Sequence, residues 1–443
     1  MNRGASVTDG NIQHLKGDIM KTHEIKKLLT RGEAEGLSGL YGDTAAAAKR
    51  ILSAVEEYEK TYGAGREVTV ISVPGRSEIC GNHTDHNHGE VIAAGVDRDI
   101  IAVAGIRDDG LIKTSSQGYR ESVIRLADIK SGEKLRKFTS DALIAGMVNG
   151  FTLRGYPVCA FDAVIISDVP KGSGLSSSAA YEVTVGSILS HLAGDGKIPR
   201  EEIAKIAQYA ENVYFGKPSG LMDQMACALG GFVWMDFRDP EHPEVEPTGF
   251  APTDDGLTLC IVNTGGSHAD LNDDYAAVPA EMKRVAHDLG AGVLRGIDEK
   301  TVTAHLPALR SGTGGDRAVL RALHFIHENE RVERMRACLR AHDTDGFLAV
   351  VTESGNSSFK YLQNLYSPKN PDEQGLPLAL ALTESFLSGR RGACRVHGGG
   401  FAGTIQAYIP DEDAKEYTRL MDAVFGEGAT LRLRVRDGAR RLF

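Results

Sequence analysis

The stretch Val169-Pro170-Lys171-Gly172-Ser173-Gly174-Leu175-Ser176-Ser177-Ser178-Ala179-Ala180 decides how the rest of this chain is read. It follows an apolar, strand-like run at 160–166 and leads into a helix-like run at 179–192. Small residues let a backbone come close to a ligand, and a new helix aims unpaired N–H groups at it; together they hold an anionic phosphate. A glycine-rich turn alone is weak evidence. Here three glycines or serines in a row stand on each side of Leu175, with Pro170 ahead. The pattern therefore predicts a phosphate loop made of Pro170, Gly172, Ser173, Gly174, Leu175, Ser176, Ser177 and Ser178.

Outward from this loop, strand and helix signals are mixed. Helices are predicted over 44–62, 141–153, 200–215, 274–289, 316–341 and 376–387, with Ile203, Ile206, Ala210 and Val213 on one face of the fourth-from-last. Strands are predicted over 67–73 (ending at Pro74-Gly75), 99–107, 111–115, 161–166, 232–237, 257–262 and 404–409. Asp108-Asp109-Gly110 reads as a hairpin turn between two of them. The class is α+β. A length of 443 residues exceeds one ordinary core, so two domains are expected.

Composition excludes several function classes. A net charge of −10 and the lack of a basic stripe argue against nucleic acid. The densest basic run, Arg432, Arg434, Arg436, Arg440 and Arg441, alternates with Leu431, Leu433 and Val435 and reads as the solvated side of a strand. Six scattered cysteines without CxxC give neither a zinc site nor a disulfide framework. No apolar run reaches membrane-spanning length and no signal core opens the chain, so the expected compartment is the cytoplasm, with no membrane partner. Residues 1–20 are polar and patternless, and no function is assigned to them.

Two further constellations carry chemistry. Pro74-Gly-Arg76-Ser-Glu78-Ile-Cys-Gly81-Asn82-His83-Thr84-Asp85-His86-Asn87-His88-Gly89 packs a cation, carboxylates, imidazoles and amides behind a strand. Such a loop suits a polyhydroxylated ligand, and the pattern alone equally permits a metal on His83, Asp85, His86 and His88. The segment Glu211-Asn-Val-Tyr-Phe-Gly216-Lys-Pro218-Ser-Gly220-Leu-Met-Asp223-Gln224 places Asp223 among apolar neighbours, where a carboxylate needs a partner. Pattern alone favours a surface acid for Glu211 and a helix cap for Asp223. Neither Gly216-Lys217-Pro218 nor Gly196-Lys197-Ile198 is followed by the hydroxyl of a Walker A loop, and kinase HRD and DFG signatures are missing.

Taken together and in order, these segments resemble the signature motifs of the GHMP small-molecule kinase superfamily, and within it the galactokinases. Gly75, Arg76, Gly81, His83, Asp85, Asn87 and Gly89 match the first motif, Pro170 to Ala179 the second, and Gly398-Gly-Gly-Phe-Ala402-Gly403 the third with one glycine replaced by alanine. Ala210-Glu211 through Gly220-Leu-Met-Asp223-Gln224 matches the segment that carries the family's base, and Tyr275 falls after His268 where the family has a sugar-contacting tyrosine. The likeness spans about Leu40 to Asp437-Gly-Ala-Arg.

The resemblance implies a two-lobed GHMP fold with a ribosomal-protein-S5-like N-terminal lobe (21–215) and a ferredoxin-like C-terminal lobe (216–443). It implies ATP- and Mg2+-dependent phosphorylation of the anomeric hydroxyl of galactose by a monomer or weak homodimer. Asp223 is then the base with Arg76 beside it, holding it ionised. Asn82, His83, Asp85, Gly220 and Tyr275 contact the sugar, and Ser177 or Ser178 with Glu211 carry Mg2+. Lys171 would add a cation near the phosphates. The resemblance also disfavours the histidine metal site. Three departures stand in the first motif: Asn82 replaces an acid expected at the sugar 6-hydroxyl, His86 a tyrosine and Glu78 an asparagine. The first two also resemble galacturonokinase-like relatives. A non-catalytic sugar- and ATP-binding sensor is a further alternative, set against by the presence of Ser176, Ser177, Ser178, Glu211, Arg76 and Asp223. A mevalonate- or homoserine-kinase reading shares the fold, but the Arg…His-Thr-Asp loop and Met-Asp-Gln favour sugar.

Overall fold

In the computed structural model, residues 19–33, 36–82, 84–130, 136–170, 172–217, 219–266, 271–312 and 314–443 are described. The expectations placed on His83, Lys171, His268 and nearly all of 1–20 lie outside the described residues.

Alternation along the central strands sets the layers. β1 (Met20–Lys21), β2 (Glu67–Cys80), β3 (Glu90–Ile106), β4 (Leu111–Ser116), β5 (Ser122–Arg125) and β6 (Phe161–Ser167) form a sheet in the order β1-β2-β3-β6-β4-β5. Val68, Val70, Ile101, Val103 and Val164 face one side, against Ile25, Leu29, Ile51, Val55 and Tyr58 of the helices Thr22–Arg31 and Thr44–Tyr62. Their neighbours Ile71, Val73, Ala102, Ala104 and Ile165 face the other. There they meet the apolar helices Ser140–Leu153, Ser177–Ala193, Arg200–Tyr209 and Met222–Leu229.

Three expectations are corrected. β2 does not stop at Pro74-Gly75; it continues to Cys80 through a register shift between Pro74 and Gly75, where the missing proline N–H is tolerated. β3 and β4 do not pair as a hairpin. The turn chemistry at 108–110 reverses the chain, but β6 inserts between them, antiparallel to β3 and parallel to β4. Buried Asp162 on β6 holds that place, bound by Arg107 Nη1 at 2.9 Å and by Tyr58 Oη at 2.5 Å. The arginine run is a solvated face only in part, with Arg432, Arg434 and Arg440 exposed. β12 (Thr430–Leu433) is extended there, but beyond it Arg436 is 4 % exposed, donating to Ser72 Oγ at 2.9 Å and Asp99 Oδ2 at 3.1 Å.

β7 (Phe232–Asp236) pairs with β3, and β8 (Glu244–Pro247) with β7, so both join the large sheet. A second sheet has the order β10-β11-β9-β12, from β9 (Leu257–Asn263), β10 (Ala393–His397), β11 (Thr404–Pro410) and β12. The change of sheet therefore falls between Pro247 and Leu257, not at 215/216. The segment β13 (Arg440–Arg441) then returns to β2. Cys260, Val262, Val396, Ile405 and Ala407 pack on the helices Gly375–Phe386 and Ala414–Phe425. The helices Asn272–Asp288 and Gly315–Ala341 form a separate apolar cluster through Met282, Val285, Ala318, Ala322 and Phe325.

Candidate active site

Because β2 runs past Pro74, it carries Arg76 under the glycine- and serine-rich turn. A Cβ at Gly75 would lie 2.7 Å from the Leu175 carbonyl oxygen, so only glycine lets the turn sit this close. The Arg76 amide donates to that carbonyl at 3.1 Å. The Arg76 side chain is buried; its Nε donates to Asp223 Oδ1 at 2.7 Å and its Nη1 to the Gly174 carbonyl. Burial works against the guanidinium charge, but the opposite charge of Asp223 prevails and raises its pKa.

Asp223 stands in the first turn of Met222–Leu229, behind Leu221, so it does not cap the helix. Its second oxygen accepts from Ser176 Oγ at 2.5 Å. Ser176 has φ +55°, a left-handed conformation that a side chain adopts at a cost, and this contact helps hold it there. Strand, turn and helix thus converge on one carboxylate.

Beside them, the helix Arg200–Tyr209 passes into a π-helical turn, Ala210–Phe215, a form frequent at functional sites. The turn carries Glu211, which is buried rather than a surface acid. Glu211 Oε1 accepts from Lys217 Nζ at 3.0 Å and Ser178 Oγ at 3.2 Å, and its Oε2 from Gln224 Nε2 at 2.8 Å. Gln224 Nε2 also donates to Glu182 Oε2 at 3.2 Å. Burial, then the charge of Glu211, pushes Glu182 well above the usual carboxylate range. Glu182 Oε1 is buried with no hydrogen-bond partner among the described residues. This all-oxygen set, Ser178, Glu211 and an orphaned carboxyl oxygen, fits a hard divalent cation that needs only one or two protein ligands.

On the other side lies a cavity of about 180 Å³, lined in part by Asn82, His86, Asn87, Tyr275, Asn364 and Gly399. Tyr275 Oη donates to the Gly400 carbonyl at 2.8 Å, and its ring lies where a Cβ at Gly399 would come within 2.7 Å. Asn87 Oδ1, Asn364 Oδ1 and the nearby Asp85 Oδ1 are buried acceptors with no partner among the described residues. Gly220 meets Asp85 directly: a Cβ there would lie 1.7 Å from Asp85 Oδ2.

Of the residues expected at the sugar, Asn82 and Tyr275 line the cavity, Asp85 and Gly220 touch one another beside it, and His83 lies outside the described residues. Asn82 is committed at both ends, its Oδ1 to Arg395 Nη2 and its Nδ2 to Ser358 Oγ. Among the described residues no group of three His, Cys, Asp or Glu side chains is disposed to hold a metal ion, so the histidine-rich loop gains no support as such a site. Sequence reasoning passed over Glu182, Lys217 and Arg395. A lone carboxylate in the apolar run 179–192 was the available signal for Glu182; Arg395, 313 residues from Asn82, offered none.

Two family models match: the GHMP kinases N terminal domain over residues 142–231, and the galactokinase galactose-binding signature over residues 56–106. A galactokinase from Streptomyces coelicolor is 31% identical over 399 residues, covering 87% of this chain and 97% of that one. Human galactokinase is 29% identical over 407 residues, covering 89% and 97%. The crystal structure of Lactococcus lactis galactokinase complexed with galactose superposes with a TM-score of 0.73 at 22% identity, over 87% of this chain and 98% of that one. Methanococcus jannaschii mevalonate kinase gives 0.58 at 14% identity, over 84% and 99%. These neighbours carry the GHMP kinase fold, in keeping with the mixed α+β architecture. Motifs, family models and full-length relatives agree, and the chain belongs to the galactokinase family.

Proposed function

We propose that this chain transfers the γ-phosphoryl group of ATP to the anomeric hydroxyl of galactose, giving galactose 1-phosphate and ADP. One observation carries the reading: Asp223 is hydrogen-bonded both to Arg76, which also grips the Gly174 carbonyl, and to Ser176 of the phosphate turn. A carboxylate tied to a phosphate cradle is what transfer to a weakly acidic hydroxyl requires.

Asp223 accepts the sugar proton as the new O–P bond forms and the bond to the departing ADP breaks. Arg76 keeps Asp223 ionised and faces the charge that develops on the transferring group. Pro170 to Ser178 cradle the phosphates through backbone N–H groups and hydroxyls. Ser177 or Ser178 with Glu211 would hold Mg2+, whose role is to neutralise charge between the terminal phosphates. Asn82, His83, Asp85, Gly220 and Tyr275 form the sugar side. Three buried acceptors there without a donor among the described residues suit a ligand rich in hydroxyl groups. We place the enzyme in the cytoplasm as a monomer or weak homodimer without nucleic-acid or membrane partners; its six free cysteines fit a reducing compartment.

The test is ADP release from the purified chain with ATP and galactose, galacturonate, N-acetylgalactosamine or arabinose, with the product identified by phosphorus NMR. Galactose should turn over fastest and yield the 1-phosphate. Binding of galactose and ATP without ADP release would overturn the reading in favour of a sensor.

A further inference from the structure

His397, the last residue of β10, lies behind the phosphate turn, is 2 % exposed, and has no part in the chemistry above. Each of its ring nitrogens meets a hydroxyl: Nδ1 is 3.0 Å from Thr404 Oγ1, and Nε2 is 3.1 Å from Ser77 Oγ. Those hydroxyls have other partners. Thr404 Oγ1 donates to the Ser173 carbonyl at 3.3 Å. Gln406 Nε2 donates to Ser77 Oγ at 2.8 Å and to the Glu78 carbonyl at 3.1 Å, and the second contact fixes which end of the amide is nitrogen.

A hydroxyl has one proton to give. That of Thr404 goes to Ser173, so Thr404 accepts from His397, and Nδ1 carries the hydrogen. In the neutral ring Nε2 is then bare and accepts from Ser77. The bonds run one way, Gln406 to Ser77 to His397 to Thr404 to Ser173. Two of its members adjoin the catalytic machinery: Ser77 follows Arg76, and Ser173 precedes Gly174, whose carbonyl accepts from Arg76. The ring also fills the space beside Gly174, where a Cβ would come within 2.9 Å of Nδ1.

We propose that His397, as the neutral Nδ1–H tautomer, is a positioning residue that locks the 173–174 turn in register with Arg76. The proposal rests on the kinase reading of this cleft. Misplacing a phosphate-binding turn by about an ångström costs up to about 10²-fold in rate.

The test combines kinetics, calorimetry and nitrogen NMR of the ring. His397→Ala should raise KM for ATP and lower kcat, together about 10–100-fold in kcat/KM for ATP, while galactose affinity without nucleotide stays unchanged. His397→Asn, which restores an N–H at the Nδ1 position, should recover more activity than His397→Gln. Thr404→Val removes the link to Ser173 with little change of volume and should give the same split should His397→Ala fail to fold. Equal loss in the Asn, Gln and Ala variants, a loss falling on galactose affinity, a wild-type-like Thr404→Val, or a ring protonated at Nε2 would each overturn the proposal. Wild-type protein that releases no ADP with any sugar would instead sink the kinase reading, and the tautomer would still be read by NMR.

Discussion

The two walls of the cleft are built on opposite principles. Along the phosphate wall the charged groups already hold one another: Arg76 with Asp223, Ser176 with Asp223, and Glu211 with Lys217, Ser178 and Gln224. Along the sugar wall Asp85, Asn87 and Asn364 each keep a buried acceptor oxygen without a donor among the described residues. Such an atom costs about 1–3 kcal/mol. Charge on the phosphate wall is thus set in place before any ligand arrives, whereas the sugar wall is completed by hydroxyl donors that a ligand brings. The first wall should tolerate changes in binding poorly and changes in chemistry not at all; the second should show the reverse.

Asp223→Asn breaks the phosphate wall most severely. It keeps the size and one acceptor for Arg76 but cannot take the proton, so kcat should fall about 10²–10⁴-fold while calorimetry finds galactose affinity largely spared. Near-normal turnover would remove Asp223 as the base. Gly220→Ala attacks the sugar wall instead. A methyl group 1.7 Å from Asp85 Oδ2 forces that carboxylate to move. Galactose kcat/KM should drop about 10–100-fold, with KM for ATP unchanged; a rise in KM for ATP alone would show that the two walls are not separable.

Lys217→Met probes how ready the phosphate wall is for a cation. Lys217 Nζ holds the same Glu211 oxygen as Ser178 does, and its side chain is half exposed. Only the lysine end of the pair reaches solvent while Glu211 is buried, so Mn2+ binding without nucleotide, followed by electron paramagnetic resonance, should tighten once the competing ammonium is gone and the buried carboxylate is left without its cation. Weaker Mn2+ binding in the variant would show that Lys217 supports the site rather than competing for it.

What was legible in the sequence was local. The phosphate turn announces itself because positive φ at Gly172 and Gly174 and small side chains are properties of adjacent residues. The helix Thr44–Tyr62 follows from its own periodicity, whereas Ser140–Leu153 is apolar nearly all round and is legible only as a capped apolar run. What failed was remote. Asp108-Asp109-Gly110 has the right chemistry for a reversal, yet nothing near it signals that β6, fifty residues on, will separate the two strands. Arg436 looks like any surface arginine until Asp99 is buried beneath it. Asp223 is the instructive case: by pattern a helix cap, it becomes a site residue only through Arg76, 147 positions away. Family resemblance supplied that pairing, since no periodicity could. The π-helical turn at Glu211 was likewise invisible: it buries Glu211 and turns Val213, expected on the apolar face with Ile203, Ile206 and Ala210, out to 55 % exposure.

The smallest effect expected also belongs to the sugar wall. Glu90 follows the first motif directly, and its carbonyl accepts from Thr84 Oγ1 at 2.7 Å, tying it to that loop. Burial, then a hydrogen bond shared with Glu333, pushes its carboxyl up to about 7, although Arg295 lies 2.7 Å from both Glu90 and Asp236 and draws it down. A folded-state pKa above the ordinary glutamate value means that the folded protein holds the proton more tightly than the unfolded chain. Stability from this group is therefore greatest below the ordinary value and is lost as pH rises through about 7. Glu90→Gln keeps the hydrogen-bonding shape without the titration. Urea unfolding at pH 5 and pH 8 should show wild type losing more stability between the two than the variant does. On the phosphate wall Glu182, also pushed up by burial, adds a slope of the same sign that both proteins share, so only the difference between them reports on Glu90. An identical pH dependence in the two proteins would mean that Arg295 prevails over Glu333, and that the sugar wall carries its charge as firmly as its neighbour.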